Sequence, residues 1–378
     1  MPKLPLWQII MLLIGAAGYV AQFVGAPPVL IFVLAAVGLI PLAGLIGHGT
    51  EELAHYIGPK WGGLLNATFG NMAELIIAGV ALSAGLYDLV KASITGSIIG
   101  NLLLVLGAGI IVGGLRHGVQ RFDSREAGRN ATMLLMAIFG LVLPAVYANS
   151  DPDAIRIEEV SLVVAAALLV IYFAYIAYSF RAEGADPAIA KEMRVGAPDG
   201  HGEAMDEAPR ASMSRTAALI MLGVATVATV VLSETLVGEV EAVVKTFGIS
   251  EFFIGAIVVP LVGNVAEHFS AVTFASKNKL DITLGIAAGS STQVALHVAP
   301  ALVFLSLFLG PAPRSLANGM NLVFLPLEIV AVTASGLLFN YISNDGETNW
   351  LEGVQLVSLY LIIAAIFFLL QMPVATGH

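Results

Sequence analysis

The 378-residue chain has no cysteine and little charge: 17 basic and 27 acidic residues make up 12% of it. The first absence excludes disulfides and thiolate metal sites and leaves the redox compartment undetermined. The second excludes a water-soluble domain of this size, in which about 25% of residues are charged. A content of 58% hydrophobic residues excludes a disordered chain as well. The basic residues form no dense cluster and the net charge is −10, which argues against nucleic acid as a partner. What the chain does contain is a series of long apolar runs. Runs such as Leu162–Ile171 do not alternate polar with apolar positions as outer-membrane barrel strands do. They predict an all-α, polytopic membrane protein whose partner is the lipid bilayer.

Eleven candidate spans of about 20 residues each lie roughly at 6–24, 29–47, 62–84, 88–115, 130–148, 159–180, 215–237, 250–276, 280–309, 316–341 and 353–372. Trp7–Val24 reads as the first transmembrane helix rather than a cleaved signal peptide, because another span follows it. With the N-terminus in the cytoplasm, thirteen basic residues fall in inside segments. Only Lys91, Arg156, Lys245 and Arg314 fall outside. That bias predicts the N-terminus inside and the C-terminus outside. The expected location is the inner (plasma) membrane of a prokaryotic cell. The one long polar segment carries Glu183, Asp186, Glu192, Asp199, Glu203, Asp206 and Glu207. It is expected to be a cytoplasmic linker, either simply solvated or sensing cations.

An internal repeat organises the rest. Gly70-Asn71-Met72-Ala73-Glu74 recurs as Gly263-Asn264-Val265-Ala266-Glu267, 193 residues later. The same offset pairs Ala78 with Ala271, Ser83 with Ser276, Asp88 with Asp281, Gly96 with Gly289 and Ser97 with Ser290. Five spans separate the two motifs, and an odd shift inverts the second copy relative to the first. The expected plan is an extra N-terminal helix (1–27), a five-helix repeat (28–180), the linker (181–214) and an inverted five-helix repeat (215–378). Inverted repeats mark transporters, with the substrate site near the membrane midplane.

Glu74 and Glu267 lie inside otherwise apolar spans, where an ionised carboxylate is costly unless it is neutralised. No basic residue in the same stretch pairs with either. Protonation or a bound cation would each neutralise them, and both together describe a cation/proton exchanger. Asn71 and Asn264 precede the acids by three residues on the same helical face. Gly70 and Gly263 can let the helix unwind and present backbone carbonyls. Ser97 lies one turn before Asn101, and Ser290 shares a face with Gln293. Such hard oxygen donors suit Ca²⁺ better than zinc or copper and leave Mn²⁺ and Cd²⁺ open. Packing between helices for the asparagines, bonding back to the helix for the serines, and structural hydrogen bonds for His268 and His297 are the competing readings. Glu328 has no assigned role.

The segments GPKWGGLLNATFGNMAELIIAGVAL and ASITGSIIGNLLLVLG resemble the first alpha-repeat of the cation/proton exchangers, the calcium/proton antiporters of the calcium/cation antiporter superfamily. LVGNVAEHFSAVTFASKNKLDITLGIAAGSSTQVAL resembles the second. The resemblance implies that Glu74 and Glu267 bind metal and protons, with Asn71, Asn264, Ser97, Ser290 and Gln293 lining the same site. It also implies that Glu51 and Glu234 match the family's acids near the hydrophilic cavity. Sodium-coupled relatives carry Ser-Leu-Pro-Glu where this chain has Asn-x-Ala-Glu, which favours protons as the coupling ion. The expected function is therefore Ca²⁺/H⁺ exchange by a transporter that is not an enzyme and needs no cofactor. Na⁺/Ca²⁺ exchange, Mn²⁺/H⁺ exchange and a cation channel are the alternatives. His268 is also a candidate proton shuttle, and a homo-oligomer stays open.

Overall fold

The computed structural model describes residues 4–57, 62, 65, 68–182, 212–311 and 316–370. The expected linker lies outside them from 183 to 211, as does the Gly58–Lys60 start of the first alpha-repeat segment.

Helices follow one another along the chain: α1 (Leu6–Ala21), α2 (Pro28–Ile57), α3 (Met72–Ser83), α4 (Tyr87–His117), α5 (Ser124–Ala148), α6 (Ala154–Ala182), α7 (Arg215–Gly238), α8 (Val240–Phe247), α9 (Glu251–Gly263), α10 (Val265–Ser276), α11 (Leu280–Leu309), α12 (Pro326–Asp345) and α13 (Trp350–Leu369). Among the described residues, nine helices are long and apolar enough to cross a membrane. α9 and α10 together form a tenth span, bent by 63°. α3, with 12 residues, is a shorter apolar helix. Nine spans, or ten with the bent pair counted as one, thus fall at expected places, and of the expected span at 62–84 the described helix is α3.

Several boundaries differ from the expectation, each for a local reason. The second span runs on past 47 to Ile57, through Pro41. Beyond the apolar run, its end is fastened by Glu52, whose carboxylate accepts from the backbone N–H of Ser212 (2.9 Å) and Met213 (3.2 Å). The fifth span opens at Ser124 rather than 130, because Asp123 caps it by accepting from Arg125 N at 2.8 Å. The tenth opens at Pro326 rather than 316. There a proline fits the first turn, and Glu328 accepts from Leu325 N at 2.8 Å. Most of the preceding stretch is non-helical, and it is held by Leu322 N donating to Ser161 Oγ and by Lys91 Nζ donating to Val323 O.

The repeat is legible in the backbone. Met72 and Val265 open α3 and α10, Ser83 and Ser276 close them, and Tyr87 and Leu280 open α4 and α11, each pair 193 apart (265 − 72 = 193). π-helical turns follow in both copies, at Gly100–Val105 and Val294–Val298. The helix is interrupted at the two asparagines, Asn71 (φ −99°, ψ 25°) and Asn264 (φ −106°, ψ 9°). A further link joins the halves away from the centre: β1 (Gln120–Arg121) pairs antiparallel with β2 (Glu347–Thr348).

Lipid tails supply little hydrophobic force between helices, so close packing at small residues holds them together. α4 crosses α9 at such a point. A Cβ on Gly96 would run into the backbone of Ala256, and one on Gly255 would meet Ala92 Cβ at 2.9 Å and Leu89 Cα at 3.0 Å. Gly96→Val should therefore push two core helices apart and destabilise the protein by about 2 kcal/mol, the usual cost of overpacking. A fall in the melting temperature of detergent-solubilised protein, larger than that of Gly79→Val, whose Cβ meets nothing within 4 Å, is the measurement.

Candidate cation site

Each interruption places an acid in the first turn of the following helix. Glu74 is the third residue of α3 and Glu267 the third of α10. A helix N-terminus carries partial positive charge from its unpaired N–H groups, so this position suits an anionic side chain. Both carboxyl groups are buried, at 9% and 8% exposure. Among the described residues, Glu74 Oε1 and Glu267 Oε2 have no hydrogen-bond partner, and neither does the buried Oδ1 of Asn264.

Both acids line one cavity of about 260 Å³. Gly70, Ala73, Gly263 and Ala266 line it next to the acids in sequence, while Gln8, His48 and Glu51 line it from α1 and α2. Gly263 lies so near Glu74 that an added Cβ would sit 3.3 Å from its Cγ. On the other side of Glu74 is a void of only about 10 Å³, walled by Ala78, Ser93, Ser97, Val259, Pro260 and Val298 among others. Glu74 thus lines the open cavity and, apart from it, only this small void.

A cross-repeat network holds the neighbouring amides. Asn71 Nδ2 donates to Gln293 Oε1 at 2.5 Å, and Ser290 Oγ donates to Asn71 Oδ1 at 3.4 Å. Asn101 Nδ2 donates to Ser290 Oγ at 3.1 Å, and Asn264 Nδ2 donates to Ser97 Oγ at 3.4 Å. Each repeat's asparagine therefore engages the other repeat's serine. Of the residues predicted for the metal site, Glu74, Glu267, Gly70 and Gly263 meet at the cavity, and Asn71, Asn264, Ser97, Ser290 and Gln293 form the frame beside it, joined by Asn101. Among the described residues no cluster of three or more His, Asp or Glu side chains could hold a metal. Here the donors beyond the two acids would be neutral oxygens.

The outer candidates separate. Glu51 lines the cavity, whereas Glu234 is exposed near the far end of α7, outside this lining. His268 is half-buried in α10, also outside it. His297 stacks on Tyr172 with ring centroids 4.9 Å apart. Glu328 accepts from Thr95 Oγ1 at 2.6 Å as well as from Leu325 N, a structural role. Sequence reasoning missed Gln8 and His48. The i, i+3 spacing of His48 and Glu51 was the available signal for the second.

Residues 27–181 and 217–369 match the family profile described as sodium/calcium exchanger protein. The chain belongs to that family. It is 38% identical over 367 residues to a "Ca(2+)/H(+) antiporter" of Synechocystis sp., covering 95% of this chain and 96% of the relative. It is 39% identical over 366 residues to the "Ca(2+)/H(+) antiporter ChaA" of Bacillus subtilis, covering 96% and 99%. The solved structure of native YfkE superposes with a TM-score of 0.77 at 37% identity, covering 95% of this chain and all of that one. An H⁺/Ca²⁺ exchanger, CAX, shares the fold at a TM-score of 0.65 and 15% identity over 96% of this chain and 93% of that one.

The frame is asymmetric, and this can be tested without any cation. Ser290→Ala removes two bonds, to Asn71 Oδ1 (3.4 Å) and from Asn101 Nδ2 (3.1 Å), whereas Ser97→Ala removes one, from Asn264 Nδ2 (3.4 Å). At about 1 kcal/mol per lost buried hydrogen bond, Ser290→Ala should lower the melting temperature about twice as far as Ser97→Ala. Equal shifts would show that the two serines carry the same load.

Proposed function

We propose that this chain is a secondary transporter that exchanges cytoplasmic Ca²⁺ for H⁺ by alternating access. The observation that carries this reading is the pair of buried carboxylate oxygens without a hydrogen-bond partner among the described residues, Glu74 Oε1 and Glu267 Oε2, on one cavity of about 260 Å³. Two ionised carboxylates there need two positive charges. One Ca²⁺ supplies them, or two protons do, and a site holding one load has no charge left for the other. That exclusivity couples the two fluxes, and no bond-making chemistry is involved. Asn264 Oδ1 and the carbonyls near Gly70 and Gly263 are the neutral oxygens suited to complete the coordination of a hard cation. Asn71, Asn101, Ser97, Ser290 and Gln293 position them.

The names of the relatives and the Asn-x-Ala-Glu motifs support protons as the exchanged ion. The basic-residue bias supports a cytoplasmic N-terminus. In that orientation the Glu51 end of the cavity faces the cytoplasm, and the closed side, whose void is too small for more than about one water, faces out. The acidic linker then lies in the cytoplasm between two inverted five-helix halves.

Glu74→Gln and Glu267→Gln keep the side-chain volume and remove the charge and the proton. Each should abolish Ca²⁺-driven proton flux in proteoliposomes while the protein still elutes as a folded species. Near wild-type flux in either variant would remove that acid from the mechanism.

Protons and Ca²⁺ compete for the same oxygens, so Ca²⁺ half-saturation should rise as pH falls. The slope of log affinity against pH should approach two if loading displaces a proton from each acid, and one if the pair shares a single proton. A flat profile between about pH 5 and 9 would leave the exchange without a coupling step.

A further inference from the structure

Glu158 is a buried acid that the exchange reading does not use. It lies in the second turn of α6 at 1% exposure, and among the described residues its Oε1 has no hydrogen-bond partner. Gly319 lies over it: a Cβ there would sit 2.5 Å from Oε1 and 2.9 Å from the carboxyl carbon. Gly319 opens a non-helical strap, Gly319–Leu325, that leads into α12. The strap and the residue before it are tied to three helices. Asn318 O accepts from Tyr87 Oη at 2.9 Å and Val323 O from Lys91 Nζ at 3.2 Å, both on α4. Met320 N donates to Ser306 Oγ of α11 at 2.9 Å, and Leu322 N donates to Ser161 Oγ of α6 at 3.0 Å. Helices of both repeats are thus joined where α4 and α6 begin and α11 ends. In the proposed orientation this is the outer face.

The charged groups around Glu158 are engaged elsewhere. On α6, Asp153 accepts from Ile155 N and Arg156 N, both at 3.0 Å, and Arg156 pairs with Asp151 at 2.8 Å. Glu159 is exposed. On α5, Tyr147 donates to Asp151 at 3.0 Å. On α4, Tyr87 interacts electrostatically with Glu158, and Asp88 pairs with Lys91 at 3.3 Å. The strap and Ala299–Leu309 of α11 carry no charged side chain. Glu328, at the start of α12, is turned to Thr95 and Leu325 N. Among the described residues no cation therefore meets Glu158.

We propose that Glu158 is a proton-binding site of this protein and that the strap seats over it when the proton is bound. Under the seated strap an ionised carboxylate has neither a cation nor a hydrogen bond on Oε1, which is far costlier than the neutral acid in the same place. Loss of the proton therefore favours the lifted strap, and by linkage the seated strap favours the proton to the same extent. Seated, the strap pins the end of α11 to α4 and α6. A proton bound at Glu158 thus helps to close the outer face, the face from which the exchange draws its protons. Glu158 is a positioning residue in this role: it acts through the strap and touches neither Ca²⁺ nor the central acids.

The place of Glu158 in a transport cycle rests on the exchange reading, whereas its proton linkage is tested without transport. The chain has no cysteine, so Met320→Cys supplies a single thiol on the strap, at a position 1% exposed. Its maleimide labelling rate is measured in detergent-solubilised protein at pH 6 and pH 8. The rate is divided by that of Leu316→Cys, a position 44% exposed, which removes the pH dependence of the thiol itself. The ratio should rise about three- to tenfold from pH 6 to pH 8, within the limit of about tenfold per pH unit that one linked proton sets. With Glu158→Gln added, a permanently neutral side chain, the ratio should stay at its pH 6 value throughout. A flat ratio without that substitution, or the same rise with it, overturns the assignment. Should Glu158→Gln fail to fold, Glu158→Met, also neutral, takes its place, and the flat-ratio outcome still decides. In proteoliposomes Glu158→Gln should lower the maximal rate of Ca²⁺-driven proton flux and leave Ca²⁺ half-saturation as it is. An unchanged maximal rate overturns the part Glu158 plays in closing the outer face. Absence of Ca²⁺-driven proton movement in the wild type overturns the exchange reading instead, and the labelling result then stands by itself.

Discussion

An ionised carboxylate at membrane depth costs at least several kcal/mol unless something neutralises it, and this chain sets two carboxyl groups on one cavity with no lysine or arginine among the described residues of its wall. Much of the core follows from tolerating that pair. The helix interruptions at Asn71 and Asn264 turn each acid onto a helix N-terminus, where unpaired N–H groups favour negative charge. The glycines before the interruptions allow close approach, as at Gly263 over the Glu74 side chain. The amide and hydroxyl frame satisfies its own donors across the repeats and leaves three buried acceptor oxygens unsatisfied. Buried polar atoms are ordinarily paired. Three unpaired acceptors with no donor between them are what a mobile positive charge requires.

The two-fold repeat is broken where the network is densest. Gln293 occupies the position that Gly100 takes in the first copy, and Asn101 the position of Val294. The consequence is a difference between the two asparagines. Asn71 is engaged at both ends of its amide, by Gln293 and Ser290, whereas Asn264 is engaged only through Nδ2 and keeps Oδ1 free. An exact repeat would hold both alike. The substitutions at these two positions make one asparagine a strut and leave the other's Oδ1 without a hydrogen bond, as the proposed cation site would need.

Composition and the repeat made the fold readable, because apolar spans and a gapless 193-residue offset are one-dimensional signals. The central acids were readable for the same reason: each is a charge inside an apolar run. Span ends were less so. Hydropathy falls at Gly47, but α2 continues because Glu52 is fastened by residues 160 positions away. Position 316 looks apolar, but Pro326 and Glu328 decide where the helix begins. The cavity mouth was hardest to foresee. Gln8 enters it from α1, which otherwise turns large apolar side chains outward, and no local pattern distinguishes such a residue from a lipid-facing neighbour. Glu234 shows the converse, since its motif position said nothing of which side of the acids it occupies.

The two sides of the acids are built from different material. The open side is bounded on α2 by Ala43–Glu51, a continuous α-helix. The closed side is bounded by Val259, Pro260, Val294 and Val298. Here the backbone ladders are already irregular: Pro260 lacks an N–H, and π-helical turns occupy Ile254–Val258 and Val294–Val298. A π turn holds one residue more than the α ladder needs, so the helix can shift its register there without breaking every bond above and below. α9 is meanwhile packed closely on α4 at Gly96 and Gly255, where only glycine fits against the facing backbone, so sliding one helix along the other would bring larger residues into that contact. Opening the closed side of the proposed exchanger therefore costs least if α4 and α9 move together while the π turn of α11 gives, carrying Ser290 and Gln293 relative to Asn71. The frame that holds Asn71 would be remade in the same motion that uncovers Glu74.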